Sequence, residues 1–429
     1  MNRVSMGVFA AAMLAAGFLS AEDAAISSVS ARQDWPWSGK VCIDFTVTGA
    51  KCDVKLTASF DDANPFVLDE RHLSGDIFGV EPGRRHVEWD PVAAGYGNRT
   101  LTNFKVLAEP VDPNERLYMI ISLETGAVTY ANAAPAEGWI DSNPEFYKRK
   151  MVFRRIPAGT FTMGYPDEML APVGIPATNM DNHRFRAHTV TISSDYYMSV
   201  YELTEGQHYV VTSVVARTEI GPTPTSRISH RIDYVGVRGK PSDGIHWPDT
   251  AGDPYKVADG SFLADIRSII ANKLPSDWVI DLPTSAQWER AAKADTPANT
   301  YWSSGGTATD DILTLSNCLA QVAVNKKFGG RETANVGTRA PNGWGLYDTS
   351  GCRWEWVLDY YTYYIPDPVD ETDPVGPATG GNYATRQRRG GDTSTTTIGQ
   401  LSNVFFGQNG DSGSYHGARL CIHTKRIEK

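Results

Sequence analysis

Apolar and polar positions alternate through the first quarter of the chain. Val41, Ile43, Phe45 and Val47 recur at every second position, as do Cys52, Val54 and Leu56, and a shorter run of the same kind covers 104–108. A period of two marks a strand with one buried face. Turn residues punctuate these runs, as in Thr48-Gly49-Ala50 and Glu81-Pro82-Gly83, and no helical period appears. Residues 26–109 are therefore expected to form an all-β sandwich of immunoglobulin or fibronectin type. Trp35, Trp37 and Trp89 suit core or edge positions, with carbohydrate stacking as the other reading. Residues 110–150 read as a connector carrying Pro110, Pro113, Pro135 and Pro144, with one more strand-like run at 117–122.

The pattern changes at Met151. From there to residue 429 the chain has few helical stretches, many Gly turns and abundant Trp and Tyr. Three helices can be placed. Thr204-Glu205-Gly206-Gln207 and Thr284-Ser285-Ala286-Gln287 are capping boxes, in which the Thr hydroxyl and the Gln amide each satisfy a free backbone N–H. The second opens a helix with Trp288, Ala291 and Ala292 on one face. Between them, 262–274 carries Leu263, Ile266, Ile270 and Leu274 at helical spacing, and Pro275 ends it.

The first residues add a targeting signal. Arg3 precedes an apolar run over 4–19, then come the small residues Ser20 and Ala21 and polar sequence from Glu22. This is the pattern of a signal peptide over 1–21, although Leu19 is a poor residue for cleavage after Ala21; an uncleaved anchor is the other reading. The expected location is secreted or periplasmic, with no stable membrane insertion after cleavage. The 429 residues are too many for one ordinary domain. Lys and Arg number 40 against 50 Asp and Glu, a formal charge of -10 with no basic stripe, which argues against nucleic acid as partner. Five cysteines are present, so at least one thiol stays unpaired. The period of two puts Cys42 on the face opposite Val41 and Ile43, and Cys52 on the apolar face with Val54, which separates the two sulfurs unless a bulge intervenes.

Several segments of the second part, in order, resemble one family. They are Ile156-Pro157-Ala158-Gly159-Thr160-Phe161-Thr162-Met163-Gly164, then Tyr201-Glu202-Leu203-Thr204-Glu205, then Leu282-Pro283-Thr284-Ser285-Ala286-Gln287-Trp288-Glu289. The most distinctive stretch is Asn342-Gly343-Trp344-Gly345-Leu346-Tyr347-Asp348 running into Gly351-Cys352-Arg353-Trp354-Glu355-Trp356. Asp373-Pro374-Val375-Gly376-Pro377, Arg389-Gly390-Gly391 and Gly417-Ala418-Arg419-Leu420 follow. Together they resemble the formylglycine-generating enzyme, or sulfatase-modifying factor, family. The resemblance implies an α+β domain of the C-type-lectin-like class over 151–429. Trp354 and Trp356 are expected in its core, and Glu355 as a buried acceptor for backbone donors or a cation.

The resemblance also implies a reaction: oxidation of a sulfatase cysteine by oxygen at a copper(I) ion held by two thiolates, which are soft ligands. In the family that cysteine pair follows the Arg-Gly-Gly motif. Here residues 392–399 read Asp392-Thr393-Ser394-Thr395-Thr396-Thr397-Ile398-Gly399, with Asp392 where the family has Ser and no cysteine. No copper is therefore expected. Related iron-dependent sulfoxide synthases take their metal from a His-rich helical domain, whereas the β-rich part here offers only His72 and His86. His183 and His188 flank a loop and read as polar surface. Gly410-Asp411-Ser412-Gly413 matches a protease nucleophile string, but no triad scaffold accompanies it. The resemblance implies structural Ca²⁺ held by the Asp348 side chain and the carbonyls of Thr349, Gly351 and Arg353, hard oxygens that suit the ion; a turn-capping role for Asp348 fits equally. A second site would begin at Asn317 and Cys318. Two function classes remain: a non-catalytic binding or structural module that presents 392–414 to an exported protein or glycan, and an enzyme of altered chemistry acting on an exported protein.

Overall fold

The computed structural model describes residues 23–33, 38–97, 100–175, 185–212, 262–326, 335–361, 369–376, 386–402, 406–407 and 416–424. The segment 1–21, Trp35, Trp37, His183 and the string 410–413 lie outside them.

The N-terminal region is all-β. Its strands are β1 (Ala25–Gln33), β2 (Val41–Thr48), β3 (Asp53–Ser59), β4 (Phe66–Val67), β5 (Leu73–Gly75), β6 (Gly83–Trp89) and β7 (Lys105–Val111). They form two antiparallel sheets, ordered β1-β2-β6-β5 and β4-β3-β7. The alternation seen in the sequence decides which face is buried. Val41, Ile43, Phe45 and Val47 of β2 meet Cys52, Val54, Leu56 and Ala58 in one core that also holds Trp89. Phe60, Trp89 and Phe104 stack there, with ring centroids 5.6–6.3 Å apart. Cys42 sits on the opposite face of β2, as the period of two predicts, and none of the five cysteines forms a disulfide.

The next strands, β8 (Tyr118–Ser122) and β9 (Val128–Ala131), fall in the segment expected to be a connector. The structure instead makes them one edge of the central sheet of the second region. With β10 (Lys150–Ile156), β11 (Gly159–Met163), β12 (His188–Ile192), β13 (Tyr196–Ser199) and β14 (Trp278–Asp281), the chain builds most of that region's framework. The short strands β15 (Thr300–Trp302), β16 (Gly305–Thr307), β17 (Ala323–Val324) and β18 (Ser350–Gly351) follow. Last come β19 (Trp354–Tyr360), β20 (Glu371–Thr372), β21 (Arg386–Arg389), β22 (Phe406–Gly407), β23 (His416–Ala418) and β24 (Cys421–Thr424). The central sheet runs β14-β24-β13-β10-β8-β9, and a second, four-stranded sheet runs β22-β21-β19-β23.

Among the described residues six α-helices accompany these strands: α1 (Trp139–Ser142), α2 (Asp167–Leu170), α3 (Glu205–Thr212), α4 (Phe262–Ile269), α5 (Ser285–Lys293) and α6 (Ile312–Val322). Both capping boxes are made. Thr204 Oγ1 accepts from Gln207 N at 3.1 Å, and Thr284 Oγ1 accepts from Gln287 N at the same distance. Helix α4 stops at Ile269, short of the expected 274, and a turn with Asn272 at φ +58° carries the chain on. The central sheet is buried on both faces. Met119, Ile121, Met151, Phe153 and Tyr197 point toward α3 and α4, while Tyr118, Val152, Tyr196 and Met198 point toward α5. Among the described residues no helix is long and apolar enough to cross a membrane. The fold is α+β, rich in short strands and preceded by an all-β region.

The two regions are joined by buried charge. Arg155 of β10 donates to both oxygens of Asp53, with Nη1–Oδ2 2.7 Å and Nη2–Oδ1 2.6 Å, and from Nε to Asp195 Oδ2 at 2.8 Å. Lys51 completes the group on Asp195. Burial alone would raise the Asp195 carboxyl, yet Arg155 and Lys51 outweigh it and hold the group below its usual range. Phe78 against Trp278, with centroids 4.8 Å apart, and Ser276 N to Leu73 O at 3.1 Å extend the contact.

Candidate functional site

The site is built where three chain segments converge. Two-residue strands β17 and β18 pair in parallel. Their pairing brings the turn after Asp348 against Asn325 and against the bend at Gly390. Gly351 N donates to Gly390 O at 2.7 Å and Cys352 N to Val324 O at 2.8 Å. The turn depends on glycine: at Gly351, φ +80°, a Cβ would lie 2.4 Å from Val324 O.

This turn presents a cluster of buried carboxylates. Asp348, itself at φ +60°, accepts from Gly337 N through Oδ2 at 2.6 Å. Its Oδ1 is buried without a hydrogen-bond partner. Glu202 accepts from Arg353 N through Oε1 at 3.0 Å, and its Oε2 and the Ser350 hydroxyl are likewise buried and unpartnered. Glu355, on β19, is satisfied: Arg419 Nη2 donates to Oε1 at 2.8 Å and Trp288 Nε1 to Oε2 at 2.5 Å. Arg419 also serves the carbonyls of Ser199, Val200 and Tyr347. Glu355 is thus the cation-paired buried acceptor expected from the sequence, and Trp354 and Trp356 are buried beside it.

The charges in this cluster do not balance. Burial, with Glu355 adding to it, pushes the Asp348 carboxyl up to about 6 against the pull of Gly337 N–H and Arg419. Burial and then the Glu355 and Asp348 charges drive Glu202 well above the carboxylate range. The Cys352 thiol is raised the same way, by burial and then by Glu202 and Asp348. It is held as a thiol, which is the opposite of what a reactive or soft-metal cysteine needs.

In a second buried group close by, the cations outnumber the carboxylate. Glu289 of α5 accepts from Gly164 N at 2.6 Å, Lys293 Nζ at 2.8 Å and Arg389 Nη1 at 2.9 Å. Burial works against its ionisation, but the two cations win and lower its pKa. Arg389 opens the Arg-Gly-Gly bend, and beyond it the loop is self-tied. Asp392 Oδ1 accepts from Ser394 N at 2.6 Å and Ser394 Oγ at 2.7 Å. Asn325 Nδ2 donates to the carbonyls of Asp392 and Thr395 at 2.8 and 2.9 Å. Thr396, Thr397 and Ile398 emerge from this loop to wall an open groove of about 670 Å³ with residues 171–174 and the Ile312, Ser316, Asn317 and Ala320 face of α6.

A model of the sulfatase-modifying factor enzyme 1-like domain matches residues 138–420. The chain belongs to that family. A formylglycine-generating enzyme of Streptomyces coelicolor is 38% identical over 277 residues, covering 55% of this chain and 77% of the relative. The formylglycine-generating enzyme of Mus musculus is 27% identical over 281 residues, covering 62% and 72%. Among solved structures, Treponema denticola variable protein 1 is similar at TM-score 0.42 and 19% identity, over 63% of this chain and 95% of that one. PvdO from Pseudomonas aeruginosa is similar at TM-score 0.41 and 19% identity, over 63% and 94%.

Of the residues singled out from the sequence, the structure brings Asp348, Thr349, Gly351 and Arg353 together in one buried turn. A Cβ built on Gly390 would sit 3.4 Å from Thr349 O and 3.9 Å from Arg353 O, so both carbonyls lie close to the Gly390 bend, beside the Trp288 ring. Asn317 and Cys318 are placed otherwise. Both lie inside α6, where their carbonyls serve the helix and Ser304 Oγ donates to Cys318 O at 2.7 Å. Asn317, expected to begin a second and separate site, is exposed in the groove wall. Sequence reasoning missed Glu202, Ser350 and Asn325 as members of the site. A carboxylate flanked by Tyr201 and Leu203 was the available signal for Glu202; nothing local marks the other two. Of the 392–414 stretch, residues 403–405 and 408–414 lie outside the described residues.

Proposed function

We propose that this protein is a non-catalytic, exported member of the sulfatase-modifying factor family, a binding or structural module that keeps the frame and has lost the copper reaction. One observation carries the reading. The loop after Arg389-Gly390-Gly391 contains hydroxyls and Asp392 where the reaction needs two thiolates; the Asp392 carboxylate is tied to Ser394, and the backbone carbonyls of Asp392 and Thr395 to Asn325. The cysteines elsewhere do not substitute. Cys42 and Cys52 belong to the N-terminal region, Cys421 to β24, Cys318 to α6, and Cys352 is buried among carboxylates that oppose its ionisation. Copper(I) prefers soft thiolate ligands, and hydroxyl oxygens are hard.

The groove beside the loop supports a binding role. Its volume suits a short peptide or saccharide segment, and Ile312 at its edge is 63% exposed. The partner is an exported protein or glycan. The turn at Asp348 is the place for a structural Ca²⁺. The residues fit the ion in kind: an unpartnered buried carboxylate oxygen on Asp348, another on Glu202, and carbonyl oxygens of Thr349 and Arg353 close to the Gly390 bend. Such an ion supplies positive charge where the chain has too little, and Gly351 allows the tight turn that holds the oxygens.

The test is a copper(I) titration of the purified protein together with oxidation of a sulfatase-type cysteine peptide. No tight copper binding and no aldehyde product, with the fold intact by circular dichroism, are expected. Peptide turnover that needs copper and oxygen, and that disappears on substitution of the protein's own cysteines by Ser, overturns the reading in favour of an oxidase.

A further inference from the structure

We propose that the outer face of the N-terminal β-sandwich holds a transition-metal site, for which Zn²⁺ is the fitting ion, made by Cys42, His86 and Glu88. The pairing of β2 with β6 sets Cys42 directly opposite Glu88 and Asp44 directly opposite His86. All four side chains therefore leave the same face of the sheet, away from the core formed by Val41, Ile43 and Phe45. One ligand atom from each of Cys42, His86 and Glu88 lies within 4.8 Å of the others. Tetrahedral zinc with ordinary Zn–S, Zn–N and Zn–O lengths places its donor atoms about 3.4 to 3.6 Å apart, so side-chain rotation closes the gap with no backbone movement.

The surroundings favour a ligand role. His86 Nδ1 lies 2.7 Å from Asp44 Oδ1, the carboxylate–histidine arrangement that fixes a metal-binding ring and leaves Nε2 for the ion. Lys40 Nζ takes Glu88 Oε2 at 2.7 Å, and the second carboxylate oxygen remains for the metal. Arg32 faces Asp44 at 3.6 Å and Asp90 lies near Lys40, so the positive and negative groups around the three ligands offset each other. Cys42 is buried while the His86 side chain is 44% exposed, so the cluster reaches solvent through His86. Cysteine, histidine and carboxylate together are a borderline-soft set that suits Zn²⁺ better than Ca²⁺ or Mg²⁺. Three protein ligands leave a fourth position for water. The site lies in the sandwich, outside the family domain and independent of the Asp348 turn.

The full-length protein, stripped with chelator, should take up one equivalent of Zn²⁺ in competition with a chromophoric chelator. Co²⁺ in its place should give a thiolate charge-transfer band and intense tetrahedral d–d bands. Cys42→Ser should abolish the charge-transfer band. His86→Gln should weaken binding by more than about 100-fold, beyond the roughly 10- to 100-fold that loss of the outer partner in Asp44→Asn costs while the band persists. Asp348→Ala should leave zinc binding unchanged. His86→Gln and Asp44→Asn alter the solvent face, so they remain informative if Cys42→Ser disturbs the fold. Absence of a bound equivalent, or stoichiometric binding that survives both Cys42→Ser and His86→Gln, overturns the proposal.

Discussion

Two buried clusters of charge, one between the two regions and one inside the family domain, differ in balance. At the junction, Arg155 and Lys51 face Asp53 and Asp195, two cations for two carboxylates. Asp53 Oδ1 also accepts from Gly79 N and Asp195 Oδ1 from Ala158 N. Around the Asp348 turn, Glu202, Asp348 and Glu355 face chiefly Arg419, and two carboxylate oxygens have no hydrogen-bond partner. The first group is closed and acts as a clamp. The second carries surplus negative charge and unused acceptors, which is the electrostatic description of a cation site. A buried carboxylate is tolerated only when paired or neutralised, so the two clusters have solved the same cost differently: one with a fixed arginine, the other by holding protons or, on the proposed reading, a metal.

The largest effect should come from breaking the closed cluster. Arg155→Leu leaves Asp53 and Asp195 buried without their counter-ion, and unfolding in urea should show a loss of about 3–5 kcal/mol. A loss below about 1 kcal/mol, as for an exposed pair, would erase the distinction between clamp and surface.

The open cluster should reveal itself through pH next. The Asp348 carboxyl is raised to about 6 in the folded protein, above its unfolded value. Between about pH 4 and pH 6 the unfolded state therefore gives up a proton that the folded state retains. Stability in chelator should fall as pH rises through this window, by about 3 kcal/mol from Asp348 for a shift of about two units, and go on falling above it while Glu202 keeps its proton. Asp348→Asn should flatten that part of the profile, and a wild-type profile without the fall would reject the assignment.

Calcium should reverse the loss. Occupation of the turn needs ionised Asp348, so Ca²⁺ affinity should grow as pH passes 6. At 100-fold over its dissociation constant the ion should add about 2.7 kcal/mol, read as a rise in Tm. Asp348→Ala should remove the response while Arg155→Leu keeps it. An unchanged melting curve on adding Ca²⁺ and then chelator would leave protonation as the only solution at this cluster.

The smallest effect sets the baseline. Lys55 and Glu109 pair at 3.1 Å with both side chains more than 40% exposed. Glu109→Gln should change stability by less than about 0.5 kcal/mol at 0.15 M salt, since water screens the pair. A cost like that of Arg155→Leu would mean that burial is not what separates the clusters.

Sequence alone determined a good deal here, and always through local rules. The alternation of Val41, Ile43, Phe45 and Val47 set the core face of β2 and put Cys42 on the other side, because strand geometry has a period of two. Two capping boxes set the starts of α3 and α5 because a Thr and a Gln three residues apart satisfy each other's backbone. The ordered motifs from Ile156 to Leu420 placed the second region in its family, and the absence of cysteine over 392–399 was visible at once. Tertiary structure decided what depends on distant partners. Arg155 and Asp53 are 102 residues apart, and nothing in either neighbourhood announces the other. The run at 117–122 was recognised as a strand, but only the hydrogen bonds from β10 made it part of the central sheet instead of a connector. Glu202 and Asp348 each look like an ordinary carboxylate in the sequence; folding buries both, together with Glu355, against too few cations. Cys42, His86 and Glu88 converge because β2 and β6 pair in one register, and register is set by the packing of the opposite face. Local propensity is written in neighbouring residues, whereas charge balance and donor geometry exist only once the chain has closed on itself.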